Sequence, residues 1–367
     1  MIATATMLLG GCGVTRTQNS DAFDLAAGLA ADEPKAVMVG REALAAGGTA
    51  ADAAAAMALA MSATLPARVG IGGGGVCVVH DPARKTVRTL DFLPRAPQGG
   101  QAAGSLAAGS QAAGSQAAVP GMLRGLYALQ SAHGRLRWAQ VVAPAEGLAR
   151  QNRAVSRAAA LDFGDFERAL AADPEARRIF VAPLGHPPDE GEPLAQPDLA
   201  AVLGQVRQSG VGPFYAGASA ARIAEAAGLP VDAVRGYQPA WRGTKDARRG
   251  YDTLHFADLP EGQPALAAWE AGTGGGGDRA RAVLAALGGT SGGSASAATP
   301  TASLVAFDPD GMSVACAFSM GGPFGTGRVV PGTGAFLARP TGAAGIGGPL
   351  VVANRNTEKG TYLAAGR

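Results

Sequence analysis

Two hydrophobic periods divide this chain. Helical spacing of apolar residues prevails through its first and middle parts, and a two-residue alternation marks 76–92 and everything from 301 onward. Residues 40–46 read as a short helix closed by Gly47-Gly48, a common C-terminal stop. Thr49 is placed to cap a second helix reaching about Leu65, with Asp52 in its first turn, where a carboxylate suits the helix dipole. That helix is almost wholly Ala and Met, so the pattern predicts burial on all sides, with neighbouring backbones at close range. Residues 70–75, GIGGGG, lead into a strand at 76–80, a turn at 81–84 and a returning strand at 87–92. Further helices are expected at 121–132, 138–150, roughly 156–172, 198–209, 217–227 and 278–287, with a strand at 251–256. From Thr301 a strand runs to Phe307, Asp308-Pro309-Asp310-Gly311 turns the chain, and a second strand covers 312–319. Short strands follow near 349–353 and 361–364. Helices in the middle and an antiparallel sheet at the end predict an α+β fold, compatible with a four-layer αββα arrangement.

Composition narrows the function classes. The chain has 367 residues, 47% of them apolar, enough to bury a sizeable core. A net charge of +2 leaves no electrostatic footprint for nucleic acid. Three Cys cannot make a disulfide scaffold. Cys77 and Cys316 are expected as buried thiols, or else as a disulfide pair if the protein is exported. Leu9-Gly10-Gly11-Cys12 resembles a bacterial lipobox, although no Lys or Arg precedes it. The expectation is a periplasmic or outer-envelope lipoprotein anchored through Cys12, and otherwise a cytoplasmic protein. Residues 1–34 form an apolar N-terminus and lead-in, 35–300 a large segment, and 301–367 a β-rich segment. Within the large segment, 101–118 repeats AAGS as a low-complexity loop, and 288–300 is Gly, Ser and Ala.

Several motifs carry no chemistry. Gly70-x-Gly72-x-x-Gly75 matches the dinucleotide fingerprint, but here a helix precedes and a strand follows, the reverse of what a pyrophosphate site needs. Gly289-Thr290-Ser291-Gly292-Gly293 matches a nucleophile elbow without the buried strand before it. His80, His133, His186 and His255 show no metal-ligand spacing and read as surface or hairpin residues, so neither metal nor cofactor is expected.

One juxtaposition is open to chemistry, although on composition alone it is more simply a linker before an ordinary strand: a Gly/Ser/Ala segment feeding directly into a strand that begins with Thr301. An autoprocessing N-terminal-nucleophile hydrolase needs this. The Thr301 hydroxyl attacks the Pro300 carbonyl, the peptide breaks, and the freed α-amino group, with an ordinary pKa of about 8, becomes the general base.

The flanking residues resemble the γ-glutamyltransferase (γ-glutamyl transpeptidase, glutathione hydrolase) family over most of the chain. Gly47-Gly48-Thr49-Ala50-Ala51-Asp52-Ala53-Ala54 is similar to its GGNAVDAA helix start. GIGGGG at 70–75, with Leu90-Asp91-Phe92 and Ala96-Pro97, is similar to GIGGGGF…LDFRETAP. Val119-Pro120-Gly121, His133-Gly134 through Trp138, Val142-Ala143-Pro144-Ala145 and Phe214-Tyr215-Ala216-Gly217 follow in family order. TASLVAFDPDG at 301–311 is similar to TTHLSVVDxDG, and Phe324-Gly325-Thr326-Gly327 with Pro331-Gly332-Thr333-Gly334 to FGSG…PGTG. The resemblance implies Thr301 as processing and catalytic nucleophile, Ser319 as the supporting hydroxyl, and a γ-glutamyl acyl-enzyme that passes to water or an amino acid. After processing the two fragments would be each other's partners.

Departures fall on substrate recognition. Leu93 stands where the family has the Arg that grips the substrate carboxylate, and Arg95, two residues on, is the candidate substitute. Gly321 replaces an Asn, Ala302 the second Thr, and Ala338-Arg339-Pro340-Thr341-Gly342-Ala343 an acidic segment. The paired Ser fall near Ala344-Gly345, and the later Gly-Gly at Ala365-Gly366-Arg367. Three readings follow: a γ-glutamyl hydrolase or transferase, an acylase for a less polar acyl group, or a catalytically silent relative acting as an envelope binding or structural lipoprotein.

Overall fold

The computed structural model describes residues 27–97, 117–151, 153–259, 262–272, 278–279, 281–282, 301–341, 348–354, 356 and 359–365. The AAGS repeat, the GTSGG match, Cys12 and nearly all of 278–300 lie outside them.

Ten strands build two antiparallel sheets: β1 (Gly28–Ala31), β2 (Gly74–Asp81), β3 (Thr86–Phe92), β4 (Ala240–Arg242), β5 (Thr244–Arg249), β6 (Asp252–Ala257), β7 (Thr301–Phe307), β8 (Ser313–Ser319), β9 (Pro349–Asn354) and β10 (Lys359–Ala365). The first sheet has the order β1-β7-β8-β2-β3-β4 and the second β10-β9-β6-β5. Alternation then decides which residue meets which layer. Val76 and Val78 of β2, Ala315 and Ala317 of β8, and Leu93 just past β3 pack against Ala257, Leu259 and Val351 of the second sheet. Residues of opposite parity, Cys77, Val79, Leu304, Val314 and Phe318, face the helices. Beyond the second sheet, the helix Gly262–Ala271 sets Trp269 against Ala247, Leu254, Phe256 and Val352. The layers are therefore helices, sheet, sheet, helix.

The large helical layer holds α1 (Pro34–Ala45), α2 (Ala50–Thr64), α3 (Met122–His133) and α4 (Trp138–Arg150), with further helices between Arg157 and Gly236. In α2 every residue from Ala50 to Ala63 is buried. Its small side chains allow this: a Cβ added at Gly40 of α1 would lie 2.5 Å from the Met57 sulfur. The expected Thr49 cap is present as a capping box with Asp52. The Asp52 carboxylate also accepts from Gln130 Nε2 (3.0 Å) and the Arg135 and Leu136 amides (2.7 and 3.2 Å), tying α2 to the end of α3. Asp308, in the turn between β7 and β8, accepts from the Ala50 amide (2.8 Å) and so fixes that hairpin on the N-terminus of α2.

Some expectations change. The first helix starts at Pro34, capped by Glu33, rather than at 40. The lead-in contains β1, which pairs with β7, and the helix expected over 156–172 breaks at Phe166 into Arg157–Asp165 and Glu167–Ala172. Strands β4 and β5 and the helix Gly262–Ala271 were not legible in the pattern. Cys77 and Cys316 are directly opposed on β2 and β8 and form a disulfide, with Cα atoms 4.1 Å apart.

Candidate active site

The register of the first sheet gathers the sequence-predicted residues. Thr301 opens β7 directly opposite Ser319, the last residue of β8, and Ser319 in turn lies opposite Gly74 of β2. Ser319 and Gly74 have the parity of the face that meets the second sheet, and one further strand across, Phe92 pairs with Gly75, bringing Leu93 to the same end.

Ser319 is fully buried, and its Oγ accepts from the Gly321 amide at 2.9 Å and lies 3.5 Å from the Thr341 hydroxyl. Thr341 was not singled out by the sequence. Its amide donates to the Pro94 carbonyl (3.0 Å) and the Arg339 amide to the Met320 carbonyl (2.9 Å), so 338–341 crosses the sheet end as a strap. Gly321 belongs to that crossing: its φ is +70°, and an added Cβ would lie 2.6 Å from the Arg339 carbonyl. Gly321 and the 338–341 segment, both departures from the family resemblance, therefore pack directly on one another.

The glycine loop has the same physical reason. A Cβ at Gly73 would lie 2.5 Å from Met320 Sδ, and one at Gly74 2.1 Å from the Phe92 carbonyl. The Gly73 carbonyl also accepts from the amides of Gly121 and Met122, at 2.8 and 3.0 Å, at the start of α3. Close backbone approach, not phosphate binding, explains the motif.

Arg95 is not gathered into this row. Its guanidinium pairs with Asp91, which also receives Arg242 Nε at 3.3 Å, and these residues line a cavity of about 490 Å³ with Tyr237 at the outer edge of β3. Three strand spacings, roughly 14 Å, separate the β7 and β3 positions of the sheet-end row. Leu93 is completely buried in the apolar layer between the sheets, so that position offers no cation.

His186 is exposed as expected, whereas His80, His133 and His255 are more enclosed than a surface setting. His133 Nδ1 bonds Asp81 Oδ2 at 2.8 Å with both side chains buried, and burial lowers its pKa despite that partner. His255 Nδ1 bonds Asp246 Oδ1 at 2.8 Å, and His80 is buried. Strand register decides these pairings, and no local spacing announces them. His186, Asp189 and Glu192 bring ligand atoms within 4.8 Å of one another on the surface.

Residues 36–230 match the family model described as Gamma-glutamyltranspeptidase. Glutathione hydrolase 7 of Bos taurus is 35% identical over 192 residues, covering 51% of this chain and 28% of that protein, so the chain matches less than a third of that relative's length. Among solved structures, a cephalosporin acylase from Bacillus halodurans superposes with a TM-score of 0.74 at 21% identity, covering 91% of this chain and 76% of that one. The γ-glutamyltranspeptidase of Helicobacter pylori gives 0.61 at 25% identity, covering 71% and 82%. The fold is the α+β fold of those structures, and the family match takes in more than half of the sequence. The chain belongs to the gamma-glutamyltranspeptidase family.

Proposed function

We propose that this chain is a self-processing N-terminal-nucleophile amidohydrolase or acyltransferase with Thr301 as nucleophile. The observation that carries the reading is the register: Thr301 begins a strand directly opposite the buried hydroxyl of Ser319, at the sheet end closed by the glycine loop. In processing, the Thr301 hydroxyl adds to the Pro300 carbonyl, the acyl group moves from nitrogen to oxygen, and water hydrolyses the ester. The released α-amino group then takes the hydroxyl proton as Thr301 attacks a substrate amide, and returns it to the leaving amine. Ser319, held through its Oγ by the Gly321 amide, positions the nucleophile.

The acyl group is γ-glutamyl, as in the glutathione hydrolases the chain resembles, or a less polar one. The second reading is favoured by Leu93: a glutamyl head group needs a cation for its carboxylate, and leaving a buried charge unpaired costs about 3–5 kcal/mol. The Cys77–Cys316 disulfide supports an exported protein, consistent with the envelope location expected from Cys12.

The test is a denaturing gel with reductant, because Cys77 and Cys316 fall in different fragments. Two fragments, one beginning at Thr301, are expected from the wild type and a single chain from Thr301→Ala. A wild-type chain that stays intact under reduction refutes processing and favours the catalytically silent reading. Supplying glutathione and an apolar-acyl anilide to processed protein then separates the two substrate classes.

A further inference from the structure

Ser319 is a weak anchor by itself. It has no β-branch to restrict χ1, so an unheld hydroxyl turns among three staggered wells. Here it is completely buried at the end of β8, directly opposite the strand position of Thr301. Two neighbours hold it. The Gly321 amide donates to its Oγ at 2.9 Å, and the hydroxyl of Thr341, itself a buried residue, lies 3.5 Å away.

Counting protons and lone pairs gives Thr341 its weight. Ser319 Oγ has one proton and two lone pairs, and the Gly321 amide takes one pair. The Thr341 proton has two acceptors in reach, Ser319 Oγ at 3.5 Å and the Arg339 carbonyl at 3.4 Å. Given to Ser319, it fills the second lone pair and leaves the Ser319 proton as a donor toward β7. Given to the Arg339 carbonyl, it makes Thr341 the acceptor for Ser319, whose second lone pair is then the group left over. Without the Thr341 hydroxyl neither arrangement is imposed.

That hydroxyl is separable from the fold. Backbone bonds seat the strap: the Arg339 amide on the Met320 carbonyl (2.9 Å), the Thr341 amide on the Pro94 carbonyl (3.0 Å) and the Ala118 amide on the Ala338 carbonyl (2.8 Å).

We propose that Thr341 is a positioning residue for the nucleophile: through Ser319, its hydroxyl sets whether a donor or an acceptor is presented to Thr301. The inference rests on the reading of Thr301 as nucleophile. Self-cleavage is the step most exposed to it. There the Thr301 nitrogen is still bonded to Pro300, so the free α-amino base does not yet exist. The C–O bond forms, the C–N bond breaks and the hydroxyl proton passes to the departing nitrogen, with neighbouring groups alone to orient the hydroxyl.

Cell-free synthesis of the full chain, followed on reducing gels, reads the self-cleavage rate with no added substrate. Thr341→Val keeps the branched shape and the backbone bonds; it should slow cleavage about ten- to hundredfold. Its melting temperature should fall by no more than about 4 °C. Thr341→Ser restores the hydroxyl and should recover most of the rate. In a Ser319→Ala background Thr341→Val should cost nothing further, because the group it acts through is gone. With processed protein, and whichever of glutathione and an apolar-acyl anilide it turns over, the loss should fall on kcat and leave KM unchanged. Wild-type cleavage in Thr341→Val, no recovery in Thr341→Ser, or an equal further loss in Ser319→Ala overturns this proposal and leaves the nucleophile reading standing. A wild-type chain that never cleaves removes that reading, and this one with it.

Discussion

Replacing the disulfide isolates one interaction whose size can be worked from topology. Cys77 and Cys316 are fully buried on adjacent strands and join positions 239 residues apart. In the unfolded chain that link closes a very long loop. The chain-entropy relation gives about 5.5 kcal/mol at 25 °C for a loop of this length, and measured disulfides commonly contribute about 2–4 kcal/mol. Processing at Thr301 would change the meaning of the bond, since it would then join two chains and set their effective concentration. The clean comparison is therefore made in a Thr301→Ala background, where both proteins are single chains. Cys77→Ala with Cys316→Ala should lose about 2–4 kcal/mol of unfolding free energy. At a urea slope of about 3 kcal/mol/M, the midpoint falls by roughly 1 M. Urea unfolding followed by circular dichroism reads this directly, and reductant should lower the parent midpoint toward the variant's. If both proteins share one midpoint, or if peptide mapping after alkylation finds both thiols free in the native parent, the reasoning is refuted.

Three further outcomes follow from the same geometry. Gly321→Ala places a methyl 2.6 Å from the Arg339 carbonyl at a φ of +70°, so a loss of about 1–3 kcal/mol is expected in thermal unfolding, and an unchanged melting temperature would deny that the 338–341 strap is seated there. Asp52→Ala leaves one Gln130 amide N–H and the Arg135 and Leu136 N–H groups unmatched in the interior, with an expected loss of about 3 kcal/mol in denaturant, against a near-zero effect if α2 is held by packing alone. Burial lowers the pKa of His80, with the charge of His255 adding to it, and lowers that of His133 against the pull of Asp81. The unfolded chain therefore binds protons that the native state refuses. Stability is full above about pH 6.5 and falls on acidification through the window below it, a slope that denaturation at stepped pH should show and His80→Gln should reduce.

Much of the local structure could be read directly from residue order. Thr49 and Asp52 announce a capping box three residues apart, Asp308-Pro309-Asp310-Gly311 announces a hairpin, and the alternation after Thr301 announces strands. Other elements carried weak or misleading local signals. The helix Gly262–Ala271 opens with Gly and Pro, poor helix formers, and is held by Trp269 against the second sheet. The run over 156–172 has a helical pattern throughout, yet Phe166 breaks it and packs its ring on Phe324 from the far end of the chain.

By itself, then, the sequence determined the elements whose causes lie within a few residues and the glycine positions that demand close backbone approach, and it singled out Thr301 as the candidate nucleophile. Only the tertiary structure decided partners. It set Ser319 beside Thr341, bound Arg95 to Asp91 instead of leaving it near Thr301, buried Leu93 between the sheets, joined Cys77 to Cys316 and bonded His133 to Asp81. The physical reason is register. A shift of one residue in any strand would send its side chains to the other face, and that choice is made by the packing of two whole sheets, which no short window of sequence contains.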